Sequence, residues 1–397
     1  KCAMNNPIEK KISNLRIAIL WIVLGLIAGI AQGCQSRPAE TTAVQLVGLP
    51  GQTGQGFDRV TGPLDFSFPQ DHGPHLTYQT EWWYYTGNLQ TEQGQRFGYQ
   101  LTFFRRGLVP PAEVVGTGSA WRTSQVYFAH FAISDIAGKQ FQYAERFSRG
   151  AAGLAGAEGE PAFSVWLEDW SVKQLDEITY QLQAAADGFS LNLRLVDQKG
   201  PILQGDRGYS PKGSMPGNAS AYLSQTRLEA VGEVTLAGEQ FPVKGWSWMD
   251  HEFSTSALAE GQVGWDWFSI QLDDGSELML FTLRREDGTT DPFSAGTWIA
   301  PDGSTQALAR DDFSIQSTAE WRSPHSGAVY PAGWHVSIPA LDLDLTIAPL
   351  MSDQELNLSF VYWEGAVTIQ GRHGSQLVEG YGYVELTGYA KSMQGQF

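Results

Sequence analysis

The feature that most limits what this chain can become is that it repeats itself. "EWWYYTGNLQTEQGQRFGYQLTFFRR" (residues 81–106) lines up on "GWDWFSIQLDDGSELMLFTLRR" (264–285), with a small difference at the turn. "FAHFAISDIAGK" (128–139) lines up on "AGTWIAPDGST" (295–305), and "ERFS" (145–148) on "DDFS" (311–314). At the far end "VGEVTLAGEQFPVKGWSWMDHEF" (231–253) lines up on "EGAVTIQGRHGSQLVEGYGYVEL" (364–386). Matches that recur in one order describe a duplication. Solenoid repeats run to roughly 20–50 residues, so the doubled unit here is a whole domain. The boundary falls in "STSALAEGQV", which gives domains over 66–255 and 256–397.

Each copy reads as β. Apolar residues alternate in "RFGYQLTFFRR" (96–106), "QVYFAHFAISD" (125–135), "FSLNLRLV" (189–196) and "LMLFTLRR" (278–285). Turn signals such as "EQG" (92–94), "DDG" (273–275) and "PDG" (301–303) separate these runs. Alternation bounded by Gly and Asp is the strand-and-hairpin pattern. With 12% aromatic residues and 44 glycines, the chain suits an all-β sandwich or barrel with large interior side chains.

Two segments precede the repeats. Residues 1–34 carry Lys10, Lys11 and Arg16, then the apolar run "IAILWIVLGLIAGIA", then Gly33-Cys34. A basic start, a short apolar run and small residues before a cut describe a secretory signal. Cys34 after "AQG" resembles a bacterial lipoprotein box, so Cys34 is expected to be lipidated. The chain would then be an exported, membrane-anchored lipoprotein (periplasmic or on the outer face) or a secreted protein. Residues 35–65, rich in Gly, Thr, Gln and Pro, read as a flexible tether. Cys2 and Cys34 are the only cysteines, so the exported body would hold no disulfide. A net charge of −17 repels nucleic acid, which is not an expected partner.

The stretch "VKGWSWMDHEF" (243–253) carries the chemistry. Trp246, Trp248 and Asp250 alternate on one strand face and His251 falls on the other. In the second copy Tyr381, Tyr383 and Glu385 answer to Trp246, Trp248 and Asp250, so an aromatic-x-aromatic-x-acid pattern belongs partly to the fold.

At these residues the chain resembles the lipocalin-like carotenoid 1,2-hydratases (hydroxyneurosporene synthases) and their AttH-type relatives, often labelled "predicted secreted hydrolase". The marks are "TEWWYYTGNL" (80–89), "GYQLTFFR" (98–105), "AHFAISD" (129–135), "GDRGYSPKG" (205–213), "YLSQTRLE" (222–229), "GWSWMDHEFS" (245–254) and "GWDWFSIQLDDGSELMLFTLR" (264–284). They cover essentially all of 66–397 and lie nearer the AttH-type branch. The resemblance implies two tandem lipocalin-like β-barrel domains with a pocket for a bulky apolar, isoprenoid- or carotenoid-like ligand. It also implies acid catalysis by the Asp of "WSWMD", which is Asp250 here. Where the hydratases lead one to expect a His-x-Trp element, this chain has "SAYLSQTR" (220–227), with Tyr222 and no His.

Hydrating an isolated C=C bond needs a proton donor that keeps its proton near neutral pH. Burial among indoles disfavours a carboxylate and raises its pKa, and aromatic faces stabilise a developing cation. Tyr222, Trp246, Trp248, Trp265 and Trp267 are the residues expected to supply both effects around Asp250. A structural alternative pairs Asp250 with Arg227 or Arg207. Glu81-Trp82-Trp83-Tyr84-Tyr85 reads as a strand buried on both faces, with Trp82, Trp83 and Tyr84 as candidate pocket wall. Asp266, between Trp265 and Trp267, is a second carboxyl expected to hold its proton. The loop 204–213 is placed over a barrel mouth, and His130 reads as a core histidine.

No HExxH or cysteine-based spacing occurs, and alternation separates His251 from Asp250 and Glu252. Neither a metal nor a cofactor is expected, and His251 is read as a surface or supporting residue. No GxSxG elbow supports a serine hydrolase. Three readings stand: a hydratase with Asp250 as proton donor, a non-catalytic carrier of the same hydrophobic small-molecule ligand, and a secreted hydrolase of unknown substrate.

Overall fold

The computed structural model describes residues 54–395 apart from 115–118, 120 and 257. The expected signal segment, the lipidation site at Cys34 and the tether up to residue 53 lie outside the described residues. From Gly54 onward the chain already packs: Val60 is buried against Ala219, Ala221 and Phe253. The Asp58 N–H donates to the Thr77 carbonyl at 2.9 Å. Residues 54–65 therefore belong to the folded body, a correction to the tether expected through 65.

Two antiparallel sheets carry the duplication. The first runs from Gln140–Arg149 through Gln125–Asp135, Arg96–Gly107 and Thr80–Gln90 to Glu239–Ser254, Ala219–Leu236, Phe189–Asp197 and the shorter strands beyond. The second runs from Thr305–Ala309 through Ala295–Ile299, Glu277–Arg285 and Gln262–Leu272 to Gln376–Leu386, Val361–His373, Leu343–Pro349 and Trp334–Ile338. In both, the copy's opening strand pairs with its closing strand. The register agrees residue by residue: Tyr84 faces Asp250 as Trp267 faces Glu385, and Thr86 faces Trp248 as Ser269 faces Tyr383. One short match fails. "ERFS" lies in the strand Gln140–Arg149, whereas Asp311 and Asp312 sit in a 3-10 turn leading to Ser314–Ser317 at the opposite edge. Thr305–Ala309 is the true counterpart by sheet order.

The first sheet curls until its edges meet around one core, with the Phe131 ring 5.6 Å from Trp170 and 4.9 Å from Phe189. Trp83, Tyr85, Tyr99, Phe103, Trp170 and Tyr180 fill that interior. Phe268, Trp334 and Trp363, with aliphatic neighbours, fill the second. Barrels of this size are filled by side chains or hold one small ligand, and here both interiors are packed. The pocket that the resemblance implies therefore lies outside both barrel interiors.

The large side chains that do not enter the barrels meet between them. Tyr84, Tyr222 and Trp248 from the first copy pack with Trp267, Met279, Phe281, Leu283 and Tyr383 from the second. A strand covered on both faces tolerates consecutive apolar residues, which explains "EWWYY": Trp83 and Tyr85 enter the barrel while Trp82 and Tyr84 face the other copy. In the strand Ala219–Leu236 a bulge between Gln225 and Leu228 reverses the alternation. Tyr222 and Ser224 thereby face the junction, while Leu228 and Ala230 face the core. Close approach needs a glycine: a Cβ on Gly98 would lie 2.6 Å from the Ala366 Cβ.

Polar contacts fix the junction further. Lys199 Nζ reaches Glu277 Oε2 at 2.7 Å and donates to the Gly275 and Ala300 carbonyls at 2.7 and 2.9 Å. Arg227 pairs with the other oxygen of the same Glu277. Gln271 Nε2 donates to the Thr226 and Ser247 carbonyls at 2.7 and 3.0 Å. All these bonds cross from one copy to the other. The geometry of anything built between the copies is therefore set by both.

Candidate active site between the two copies

A cleft with about 1110 Å³ of space unfilled by protein atoms, part of it open to solvent, lies at this junction. Trp82, Tyr84, Phe104, Tyr222, Trp265, Trp267, Phe281 and Leu283 give it apolar walls, and Asp250, Glu252, Glu385 and Lys212 bring charge.

Asp250 is 3% exposed and accepts three hydrogen bonds. Trp248 Nε1 and Ser224 Oγ donate to its Oδ1 at 2.7 and 2.5 Å, and the Tyr222 hydroxyl donates to Oδ2 at 2.6 Å. Burial pushes its pKa up to about 7, against the lowering effect of Ser224, Tyr222 and Trp248. The expected indole surroundings are therefore real, but they also bring N–H and O–H donors that favour the ionised form. Neither arginine considered as a structural partner reaches it: Arg227 pairs with Glu277, and Arg207 lies exposed beside Asp206.

Across the cleft stands Glu385, half-buried, with Trp265 Nε1 donating to its Oε2 at 2.6 Å. Burial pushes its pKa up to about 8, and the nearby Asp250 and Glu252 add to the rise. Directly opposite Glu385 on the neighbouring strand is Glu364, fully buried, which accepts the Tyr84 hydroxyl at 2.7 Å. Burial first, then Glu385, hold the Glu364 carboxyl well above the usual carboxylate range. Glu252 accepts from Ser220 Oγ, and Lys212 Nζ lies 3.4 Å from its Oε1. That ammonium sits 3.9 Å from the Phe281 ring centre and 5.2 Å from that of Tyr222. The loop carrying Lys212 thus covers the cleft between the copies rather than a barrel mouth.

Of the residues expected at the site, the structure brings together Trp82, Tyr84, Tyr222, Asp250, Trp265 and Trp267, with Trp248 buried behind Asp250. It does not bring in three others. Trp83 is barrel core, its Nε1 donating to the His72 carbonyl at 2.9 Å. Trp246 lies further along the strand against Arg227, 5.3 Å from the guanidinium. Asp266 lies on the other face of its strand, paired with Arg284 at 2.9 Å and hydrogen-bonded by the Tyr389 hydroxyl at 3.0 Å. Burial does raise the Asp266 pKa, but away from the cleft. Glu385 was visible in the sequence as the counterpart of Asp250. Glu364 and Lys212 carried no such signal, since one comes from a neighbouring strand and the other from a loop.

His251 is fully buried, which removes the surface alternative and leaves the supporting one. It faces the first barrel, where its Nε2 lies 2.8 Å from Glu81 Oε1. His75 Nδ1 lies 2.9 Å from the same oxygen, and Arg105 Nε donates to Glu81 Oε2 at 2.8 Å. His75, Glu81 and His251 could together hold a metal ion. The Arg105 pair and the two imidazoles already satisfy the Glu81 carboxylate, so the group also stands as a buried ion-pair network. His130, buried, bonds the Tyr362 hydroxyl at 2.6 Å and Glu145 at 3.0 Å.

The fold and this site define a class: duplicated lipocalin-like β proteins with an acid-bearing aromatic cleft between their copies. The AttH-like family model matches residues 59–389, and the chain belongs to the AttH-like family. Among solved structures it is similar to a putative AttH from Nitrosomonas europaea, with 34% identity and a TM-score of 0.74 over 84% of this chain and 100% of that one. It shares the fold of kievitone hydratase from Nectria haematococca, with 14% identity and a TM-score of 0.65 over 85% of this chain and 98% of that one. Among curated proteins it is 24% identical over 148 residues to a kievitone hydratase of Fusarium solani subsp. phaseoli. That match takes in 36% of this chain and spans 41% of the relative's length. Among the described residues no helix is long and apolar enough to cross a membrane.

Proposed function

We propose that this protein is a hydratase that adds water to a C=C bond of a bulky apolar, isoprenoid-like ligand held between the two copies. The observation that carries the reading is Asp250: a buried carboxyl, bonded by three donors, opening on an aromatic cleft. Protonation of the alkene leaves a tertiary carbocation, which the faces of Trp82, Trp265 and Trp267 can stabilise. Water then forms the C–O bond and loses a proton to a carboxylate. A group that titrates near neutrality suits such work, and Asp250 at about 7 meets that requirement. The similarity to proteins named for hydrating kievitone supports the same reaction class. Export and anchoring through Cys34 complete the proposal, and Cys34→Ala should release the protein from the membrane fraction.

The test uses kievitone as probe. Wild-type protein should bind it, read by quenching of tryptophan fluorescence, and convert it to a product heavier by one water. Asp250→Asn should still bind and no longer convert. Equal conversion by both proteins removes Asp250 from the chemistry. Binding of kievitone by wild type without its conversion leaves a carrier.

A further inference from the structure

The cleft holds two carboxyls that the duplication places at matching strand positions, yet their surroundings differ in kind. Each donor on Asp250 has its proton committed. Trp248 Nε1 is a donor only. The Tyr222 hydroxyl accepts from Trp267 Nε1 at 3.0 Å, so its own proton points to Asp250. Ser224 Oγ accepts from Gln204 Nε2 at 2.8 Å, and its proton likewise goes to Asp250. With two donors on Oδ1 and one on Oδ2, three of the four acceptor positions of the carboxylate are filled, and hydrogen bonds to the charged form favour it. The shell is built for the carboxylate.

Glu385 has the opposite setting. Its hydrogen bond comes from Trp265 Nε1, and it faces Glu364 directly across the strand pair. Like charges directly opposite one another in a sheet are destabilising, and Glu364 is fully buried, so ionising both is costly. Glu364, the more buried of the two, keeps its own proton. Glu385 shares the cleft with the carboxyls of Asp250 and Glu252, so a proton on Glu385 relieves repulsion among the cleft acids and stays within reach of the cleft. Two titratable groups whose environments push them apart define an acid and a base.

We infer that Glu385, on the second copy, is the proton donor of the reaction and that Asp250, on the first, is the base. This assignment rests on the hydratase reading and reverses the donor role that the sequence suggests for Asp250. The Glu385 O–H proton goes to one alkene carbon, where the π pair forms the C–H bond. A water oxygen forms the C–O bond to the cationic carbon, and its surplus proton passes to the Asp250 carboxylate. The cycle closes when that proton returns to Glu385 through water in the cleft. No other reactant is required.

The test reads protonation without turnover. Infrared difference spectra of the full chain, recorded at a pH between the about 7 to which burial pushes Asp250 and the about 8 of Glu385, separate the C=O stretch of a protonated carboxyl from the bands of a carboxylate. Glu385→Gln should remove a protonated-carboxyl band that Asp250→Asn retains, and Asp250→Asn should remove carboxylate intensity. Glu364→Gln identifies the band of its own carboxyl, and melting curves establish that each variant is folded. Should Glu385→Gln fail to fold, Trp265→Phe serves instead. It removes the N–H from Glu385 and should shift the same C=O band, which Asp250→Asn leaves in place. The inference is overturned if Asp250→Asn abolishes the protonated band, or if neither Glu385→Gln nor Trp265→Phe changes it. If the bands assign as expected and no alkene is hydrated, the hydratase reading fails while the protonation assignment stands.

Discussion

The same strand, present twice, ends in Asp250 in one copy and Glu385 in the other, and what surrounds the two acids separates them. The first copy backs its acid with Trp248, Ser224 and Tyr222, the last held in turn by Trp267 from the second copy. The second copy offers Trp265 and places another carboxyl, Glu364, where the first has Ser224. Duplication supplied two equivalent positions, and neighbouring residues made them unequal. Chemical asymmetry between matching folds is thus set largely by what stands across the strand pair, with Trp248 on the same strand adding to it.

The sharpest way to break the comparison is to neutralise each acid. Asp250→Asn and Glu385→Gln should each lower turnover of kievitone by about 10²–10⁴-fold, the usual worth of one acid or base, with little change in binding. Their effects on the pH–rate profile should differ, Asp250→Asn removing the acidic limb and Glu385→Gln the alkaline one. A variant that keeps full turnover removes its residue from the site.

The next largest effects should fall on stability, and they contrast barrel with junction. Trp83→Ala empties packed barrel core and should cost about 3–5 kcal/mol in denaturant unfolding, a usual range for deleting a buried aromatic. Trp267→Ala borders open space, so it should cost less and should instead weaken kievitone binding. If Trp267→Ala destabilises more than Trp83→Ala, the junction and not the barrel is the chief core. Glu277→Gln breaks the clamp to Lys199 and Arg227 and should cost up to about 3 kcal/mol, toward the lower end expected when one partner of a buried ion pair is removed. An unchanged melting temperature would show that the clamp does not hold the copies together.

The last effect is one of pH. The folded state raises the Asp250 pKa from 3.8 to about 7, so native protein keeps that proton longer than the unfolded chain. This favours folding fully below the unfolded value, and the advantage is lost as pH rises through the folded one. Asp250→Asn cannot lose it. The melting temperature of Asp250→Asn relative to wild type should therefore climb between about pH 4 and 7 and level off above. A flat difference would mean that the pKa of Asp250 is not shifted by folding.

Much of this was legible in the sequence. The repeat paired Asp250 with Glu385, because strand registers follow alternating patterns of apolar residues. Alternation also separated His251 from Asp250. It could not say which of two buried faces enters a barrel and which meets the other copy, so Trp83 was grouped with Trp82 and Tyr84. Alternation does put Asp266 on the strand face opposite Trp265 and Trp267, and there it pairs with Arg284. What no local pattern could show is the company each acid keeps. Ser224 faces the junction through a bulge, Glu364 comes from a neighbouring strand, and Lys212 from a loop. The approach of His75 to Glu81 and His251 likewise depends on how residues 66–79 fold back over the barrel end.

One measurement bears most directly on the claim that water is added to a ligand between the copies. Incubating wild type and Asp250→Asn with kievitone in heavy-oxygen water, then weighing the product, tests the bond the reaction must make. The label should enter the wild-type product and Asp250→Asn should yield almost none. An unlabelled product, or equal labelled yields from both proteins, would contradict it.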